Sequence, residues 1–270
     1  MSSAIYCTIH AFLRLASRTG NRDIFILAAN YLQQLDWKAD PDIVIRNIRE
    51  SHAILVEALS EIGGLKIGGM YGILYQSGNA ASFTASMIGY IRDVVTQLKR
   101  GLDGFWVAHP DFVRVGIALT EAWRQQQARP ESTVLHDLIR ALVPSERELP
   151  ELLAFVDGPD IAGLDADDPD YLRAVLAAEV GLSTVIANDD PEEVRYNVFQ
   201  ALQYLADWLR GNGCVALPAK LKLGQKPVFV RVMDDLATTE RSRWEVWAEI
   251  AHGRVSLQLF EQILAEEVDL

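Results

Sequence analysis

The chain has 270 residues, half of them hydrophobic, and its 37 acidic side chains outnumber 25 Lys and Arg for a formal net charge of −12. A chain this long and this apolar buries a substantial core as one large domain or two modest ones, which excludes a disordered protein. The acidic balance argues against nucleic acid or an anionic membrane as partner, because both would be repelled over most of the surface.

From the N-terminus, no basic leader precedes an uninterrupted apolar run, and no apolar segment approaches membrane-spanning length, so a cytoplasmic location is expected. Cys7 and Cys214 lie far apart with no paired spacing. That fits reduced thiols, and it supports neither a disulfide framework nor a zinc site. Ile54, Leu55, Ala58, Leu59 and Ile62 recur at helical spacing up to Gly63-Gly64, which end that helix. LKIGGMYGILY follows, and reads as a buried strand running into a glycine turn at Gly68 and Gly69, where backbone can approach a ligand closely. A second amphipathic helix carries Met87, Ile88, Ile91, Val94, Val95 and Leu98 on one face. It leads into GLDGFWVAHP, whose FWVA reads as another buried strand ended by Pro110. Helix and strand alternating in this way is the rhythm of βα units around a parallel sheet, in fewer copies than a closed barrel requires.

Beyond residue 112 the pattern is almost wholly helical. Phe112, Val115, Leu119 and Trp123 mark one helix; Val194, Val198, Ala201, Leu202, Leu205 and Trp208 mark another, ended by Gly211-Asn212-Gly213. Between them the acidic stretch DGPDIAGLDADDPDYLRA reads as solvated loop, without the alternating ligands and closing Glu of a calcium loop. VALPAKLKLGQKPVFVRV, with Lys220, Lys222, Lys226 and Arg231, reads as a two-stranded excursion around Leu-Gly-Gln-Lys. It is either a solvated hairpin or a basic arm for CoA phosphates or an acidic partner. Directly after it stand Asp234 and Asp235, ahead of Leu-Ala-Thr-Thr-Glu. An aspartate there is a good helix N-cap, favoured by the helix dipole. No internal repeat is present.

Four of these stretches together resemble malate synthase. EVRYNVFQALQYLADWLRGNGCV (193–215) is similar to the family's helix and Gly-Asn-Gly-Cys-Val turn, and GLDGFWVAHP (101–110) to its Gly-x-Asp-Gly-Thr-Trp-Val-Ala-His-Pro element. IGGMYGI (67–73) is similar to the family's Met-Gly-Gly-Met segment, and RVMDDLATTERSR (231–243) to its Met-Glu-Asp-Ala-Ala-Thr-Ala-Glu-Ile-Ser-Arg signature. One such match is weak; four in the family's order are specific.

The resemblance implies a helix-dominated α/β chain, in which a partial (β/α)8 TIM barrel remnant is followed by an all-helical C-terminal domain. The expected division is 1–125 for the partial βα-barrel-like domain, 126–192 for an acidic insertion with helices, and 193–270 for the C-terminal helical domain. It further implies a Claisen-type condensation of acetyl-CoA, or another acyl-CoA, with glyoxylate or another 2-oxo acid. Asp235 takes the position of the general base, with Asp234 in place of the family's preceding glutamate. A base for a weakly acidic thioester α-proton must lie within hydrogen-bond reach of the carbon and be partly desolvated, and a neighbouring carboxylate pushes its pKa the same way.

By the same matching, Trp106, Pro110, Gly68, Gly69, Met70 and Cys214 line the substrate and CoA cavity. For Trp106 the competing reading is a core residue, for the glycines a structural turn, and for Cys214 a packed thiol. His109 resembles the family's histidine, and a histidine at a strand end is also a common structural hydrogen-bonding residue. TGNRDIF (19–25) is similar to the segment carrying an acidic Mg2+ ligand, which puts that role on Asp23. The family's glyoxylate-clamping arginine and its other magnesium carboxylate have no counterpart here. The expected remedy is a homo-oligomer or a partner subunit that completes the barrel. The alternative is a catalytically inactive, truncated relative acting as a binding or regulatory module; a third reading is an altered site for another acyl thioester or 2-oxo acid.

Overall fold

The computed structural model describes residues 41–162 and 189–269. Contacts divide the chain into two units. One, the sheet unit, is His52–Ile161 with Ala216–Met233; the other, the helical unit, takes in the described residues 41–51, 189–215 and 234–269. Among the described residues no helix is long and apolar enough to cross a membrane.

Helix α1, Pro41–Glu61, ends just ahead of Gly63-Gly64 as its periodicity predicts. In the sheet unit β1 (Ile67–Tyr71) and β2 (Ile73–Leu74) then lead into α2 (Ala80–Lys99) and β3 (Gly104–Val107). Strands β1 and β3 pair in parallel across the α2 crossover, with Met70 opposite Trp106 and Tyr71 opposite Val107, and an irregularity between Ile67 and Met70. Helices α3 (Pro110–Ala128), α4 (Val134–Leu142) and α5 (Leu149–Asp157) follow. The hairpin of β4 (Val215–Leu223) and β5 (Lys226–Asp234) forms the excursion around Leu-Gly-Gln-Lys, and β5 pairs antiparallel with β2, Ile73 opposite Val232. The three-stranded order is β2-β5-β4.

The core of the sheet unit is apolar and aromatic. Met87, Tyr90, Ile91, Val94, Val95 and Leu98 of α2 pack against Phe112 and Leu119 of α3, Leu135 and Ile139 of α4, and Leu152 and Val156 of α5. The predicted face of α2 is the buried one, because residues three and four apart share one side of a helix. Tyr90 and Phe112 stack with centroids 4.6 Å apart, and the Tyr90 hydroxyl donates to Phe112 O at 3.0 Å. Burial holds the Tyr90 phenol well above its ordinary pKa.

Three expectations are corrected here. The strands at 67–71 and 104–107 are not buried: Trp106 is 67% exposed and Met70 38%. Alternation along a strand sends Phe105 and Val107 to the helix-covered face and Trp106, beside Met70, to the other. Gly68 and Gly69 form no turn; they lie inside β1. A Cβ on Gly68 would stand 1.9 Å from Gln97 Oε1 and 2.6 Å from Leu102 Cδ1, so close packing of β1 on α2 explains that glycine. The acidic stretch after α5 is not all solvated loop either. Asp160 takes Nε and Nη2 of the buried Arg100 at 2.8 and 3.2 Å, a two-pronged pair that planar guanidinium favours.

The helical unit is built from α6 (Pro191–Leu209), α7 (Leu236–Ala251) and α8 (Leu257–Val268), with α6 packed on both of the others. Val194 and Val198 of α6, Val246 of α7, Ile263 of α8 and Val255 make its core. Helix α6 opens on Asp190, whose carboxylate accepts from Glu192 N at 2.8 Å, with Pro191 in the first helical position. It ends at the Gly-Asn-Gly turn, where Gly211 takes φ +92°, a left-handed conformation that side chains resist. The C-terminal part of the chain is thus mainly helical and not all-helical. The β4–β5 hairpin interrupts it, because Val228, Val230 and Val232 alternate as a strand and pair with β2.

Candidate active site

Strand β5 ends on Asp234, and α7 begins on the next residue but one, so the two aspartates occupy a strand-to-helix elbow. Asp235 is the N-cap, with extended backbone at φ −118°, ψ −177°. Its Oδ1 accepts from Thr238 N at 3.0 Å and from Thr238 Oγ1 at 3.2 Å. Among the described residues its second oxygen, Oδ2, has no hydrogen-bond partner, and the residue is half-buried. One oxygen is therefore anchored by the helix while the other stays available.

Asp234 faces the other way and is only 2% exposed. Its Oδ2 accepts from Gln200 Nε2 of α6. Burial raises its pKa above the ordinary carboxylate range, against the lowering effect of the Gln200 donor and Arg241, and Asp235 raises it further. The carboxyl that desolvation perturbs is thus Asp234, the neighbour of the residue that matches the base.

The rest of the α6–α7 interface is unusually polar. Ser242 Oγ donates to Gln200 Oε1 at 2.6 Å and lies 3.2 Å from Thr238 O. Glu245 pairs with Arg241 Nη1 at 3.2 Å and accepts from Asn197 Nδ2 at 3.3 Å. Asn197, Gln200, Arg241, Ser242 and Glu245 are all buried. Sequence reasoning missed them, yet a signal was there: Asn197 and Gln200 sit one turn apart between the stripe positions Val194, Val198 and Ala201.

The remaining matched residues fall as follows. Trp106, Gly68, Gly69, Met70 and Pro110 belong to the sheet unit, Asp235 and Cys214 to the helical unit. Met70 and Trp106 are brought together as opposite partners on the exposed face of the parallel pair. Pro110 occupies the first turn of α3, where its missing N–H costs nothing. His109 is the N-cap of that helix, Nδ1 accepting from Asp111 N at 3.3 Å. Cys214 is an exposed free thiol. Lys220, Lys226 and Arg231 are exposed on the hairpin. Asp23 lies outside the described residues. Among the described residues no group of three or more His, Cys, Asp or Glu side chains could hold a metal ion, so they do not fit a magnesium site.

Residues 188–269, which contain α6, the hairpin, the aspartate elbow, α7 and α8, match the family model described as malate synthase, C-terminal. A second model, that of a TPR domain, matches residues 8–50, nearly all outside the described residues. Among curated proteins the chain is similar to malate synthase of Myxococcus xanthus, at 28% identity over 75% of this chain and 30% of that protein. Malate synthase of Dictyostelium discoideum is 25% identical over 80% of this chain and 34% of its own length. Malate synthase A of Escherichia coli is 26% identical over 65% and 26%. The chain is malate synthase-like, and it spans about a third or less of the length of these relatives. No solved structure matches.

Proposed function

We propose that this chain supplies the proton-abstracting part of a malate synthase-type condensation of acetyl-CoA, or another acyl-CoA, with glyoxylate or another 2-oxo acid. The observation that carries the reading is the division of labour in the Asp235 carboxylate: Oδ1 is fixed by Thr238, and Oδ2 is left for a substrate proton. It stands in the segment that matches the malate synthase C-terminal model.

In this reading Asp235 Oδ2 takes a proton from the methyl group of the thioester, and the C–H electron pair moves into the C–C bond to form an enolate. The enolate carbon then attacks the carbonyl carbon of the 2-oxo acid, forming the new C–C bond and leaving an alkoxide that is protonated. Hydrolysis of the thioester releases CoA. Asp234, buried and raised by desolvation, disfavours a second negative charge beside the base and so favours proton uptake at the elbow. Trp106, Met70, Gly68, Gly69, Pro110 and Cys214 are the proposed lining of the acyl-CoA and 2-oxo acid site, and the exposed Lys220, Lys226 and Arg231 suit CoA phosphates. The β1–α2–β3 crossover is read as a remnant of a (β/α)8 barrel, completed by a second copy or a partner subunit. The magnesium of the family has no ligand set among the described residues, and no step above is routed through it.

The test is CoA thiol release by the purified chain with acetyl-CoA, glyoxylate and magnesium, alone over a range of protein concentrations and with the products of adjacent genes. Release that is abolished in Asp235→Asn supports the reading; no release in any combination, or release unchanged by that substitution, overturns it. A second reading, an inactive binding or regulatory module, is favoured by one observation: the Asp235 carboxylate already serves as a helix cap. Acyl-CoA binding without turnover is its signature.

A further inference from the structure

The buried polar side chains between α6 and α7 close a circuit around the aspartate elbow. Gln200 Nε2 donates to Asp234 Oδ2, and Gln200 Oε1 accepts from Ser242 Oγ at 2.6 Å. The same hydroxyl lies 3.2 Å from Thr238 O, and Thr238 N is the amide that Asp235 Oδ1 caps at 3.0 Å. The peptide bond between Asp234 and Asp235 completes the ring. Gln200 and Ser242 are 3% and 0% exposed, so water cannot take over either role.

Both ends of the Gln200 amide are engaged. Since a hydroxyl supplies the donor to Oε1, Nε2 must face the carboxylate, and the side chain has a single satisfied orientation. An apolar pair would fill this interface without the desolvation cost of an amide, a hydroxyl and a carboxyl, so polarity here has a geometric consequence.

The geometry points to Gln200 and Ser242 as positioning residues for Asp235: they clamp the Asp234 carboxyl and the first turn of α7, holding Oδ1 of Asp235 on Thr238 and keeping Oδ2 for proton transfer. This rests on the reading of Asp235 as the base. Neither residue touches substrate in this arrangement; both act through the elbow. Arg241 and Asp235 are the charged groups whose fields reach Asp234, and Glu245 offsets Arg241 from the next turn of α7.

The test uses Gln200→Met, which keeps length and loses both polar ends, Ser242→Ala, and the double variant of the full chain. Two readouts are taken: amide hydrogen exchange, and loss of acetyl-CoA methyl protons into heavy water, which reports proton abstraction without condensation. In either single variant the Thr238 amide is expected to exchange about tenfold faster, the size of a weakened N-cap, while Val198 and Val246 keep their rates. Because both residues belong to one ring, the double variant exchanges no faster than the singles. Methyl-proton loss falls about tenfold or more at unchanged KM for acetyl-CoA, as misplacement of a base predicts. The proposal is overturned if Thr238 keeps its protection in Gln200→Met, or if Val198 and Val246 lose theirs equally, which would mark general packing. A wild-type chain that exchanges no methyl protons overturns the reading of Asp235 as base, and Thr238 still decides the circuit.

Discussion

The two units bury different chemistry. The sheet unit closes on Met87, Tyr90, Ile91, Phe112, Leu119, Leu135, Ile139 and Leu152, a set with one hydroxyl among them. The helical unit buries only a small apolar core, and at its α6–α7 face it buries Asn197, Gln200, Asp234, Arg241, Ser242, Glu245 and Glu249. Apolar burial contributes stability in proportion to area and tolerates sliding; buried polar groups contribute little net stability but accept one arrangement. The elbow that carries the malate synthase-like aspartates sits in the unit whose interface permits one arrangement.

The contrast is broken or sharpened most strongly at Phe112. Phe112→Ala removes a ring packed against Tyr90 and is expected to cost about 4 kcal/mol in chemical denaturation. A loss under about 1 kcal/mol would contradict a core held by aromatic packing. In the helical unit the corresponding weak point is a charge. Glu249, 1% exposed, is paired with Arg254, Nη2 to Oε1 at 2.9 Å. Arg254→Ala strands that carboxylate and should cost about 3 kcal/mol, while Arg254→Lys, which keeps the charge, should recover part of it.

Asp93 gives the sheet unit its own titrating weakness. Burial lifts its pKa from 3.8 to about 6, against Gln97, which donates to it at 2.7 Å, and Arg100. Unfolded, the group releases its proton near its ordinary value, so its contribution is intact below about pH 4 and is lost as pH rises through 6. Asp93→Asn should therefore stabilise by about 2 kcal/mol at pH 7 and by nothing at pH 4, read as the difference between denaturation midpoints. A gain of equal size at both pH values would refute the titration.

At the elbow, capping and chemistry separate. Asp235→Ala should cost about 1 kcal/mol, whereas asparagine caps as well as aspartate and should leave the melting temperature unchanged while removing the proposed base. A large melting shift in Asp235→Asn would mean that the carboxylate charge is structural. The smallest effect is expected at Trp106: being 67% exposed, its change to Ala should move stability by less than about 0.5 kcal/mol. Any loss in acyl-CoA affinity measured by calorimetry would then report contact and not folding.

Local signals placed most elements well. Periodicity marked the buried face of α2, the Gly-Asn-Gly turn ended α6, and the valine alternation in 228–232 marked β5. They failed where neighbours decide. FWVA looks buried as a string, but β1 and β3 form a pair with helices on one face, so Trp106 turns outward. Gly68-Gly69 has turn composition, yet the constraint on Gly68 comes from Gln97, a residue of the following helix. The acids after α5 look solvated, but Arg100, 60 positions before Asp160, draws one of them into a buried pair.

The same division runs through the two adjacent aspartates. By itself the sequence determined that an aspartate caps α7 and that Asp235 holds the family's position, since capping and motif spacing are written within a few residues. Only the tertiary structure decided which carboxyl is desolvated and which keeps a free oxygen. Desolvation and fixed orientation come from Gln200, 34 positions before Asp234, and from the packing of α6 on α7, and neither is encoded in the residues that flank the pair.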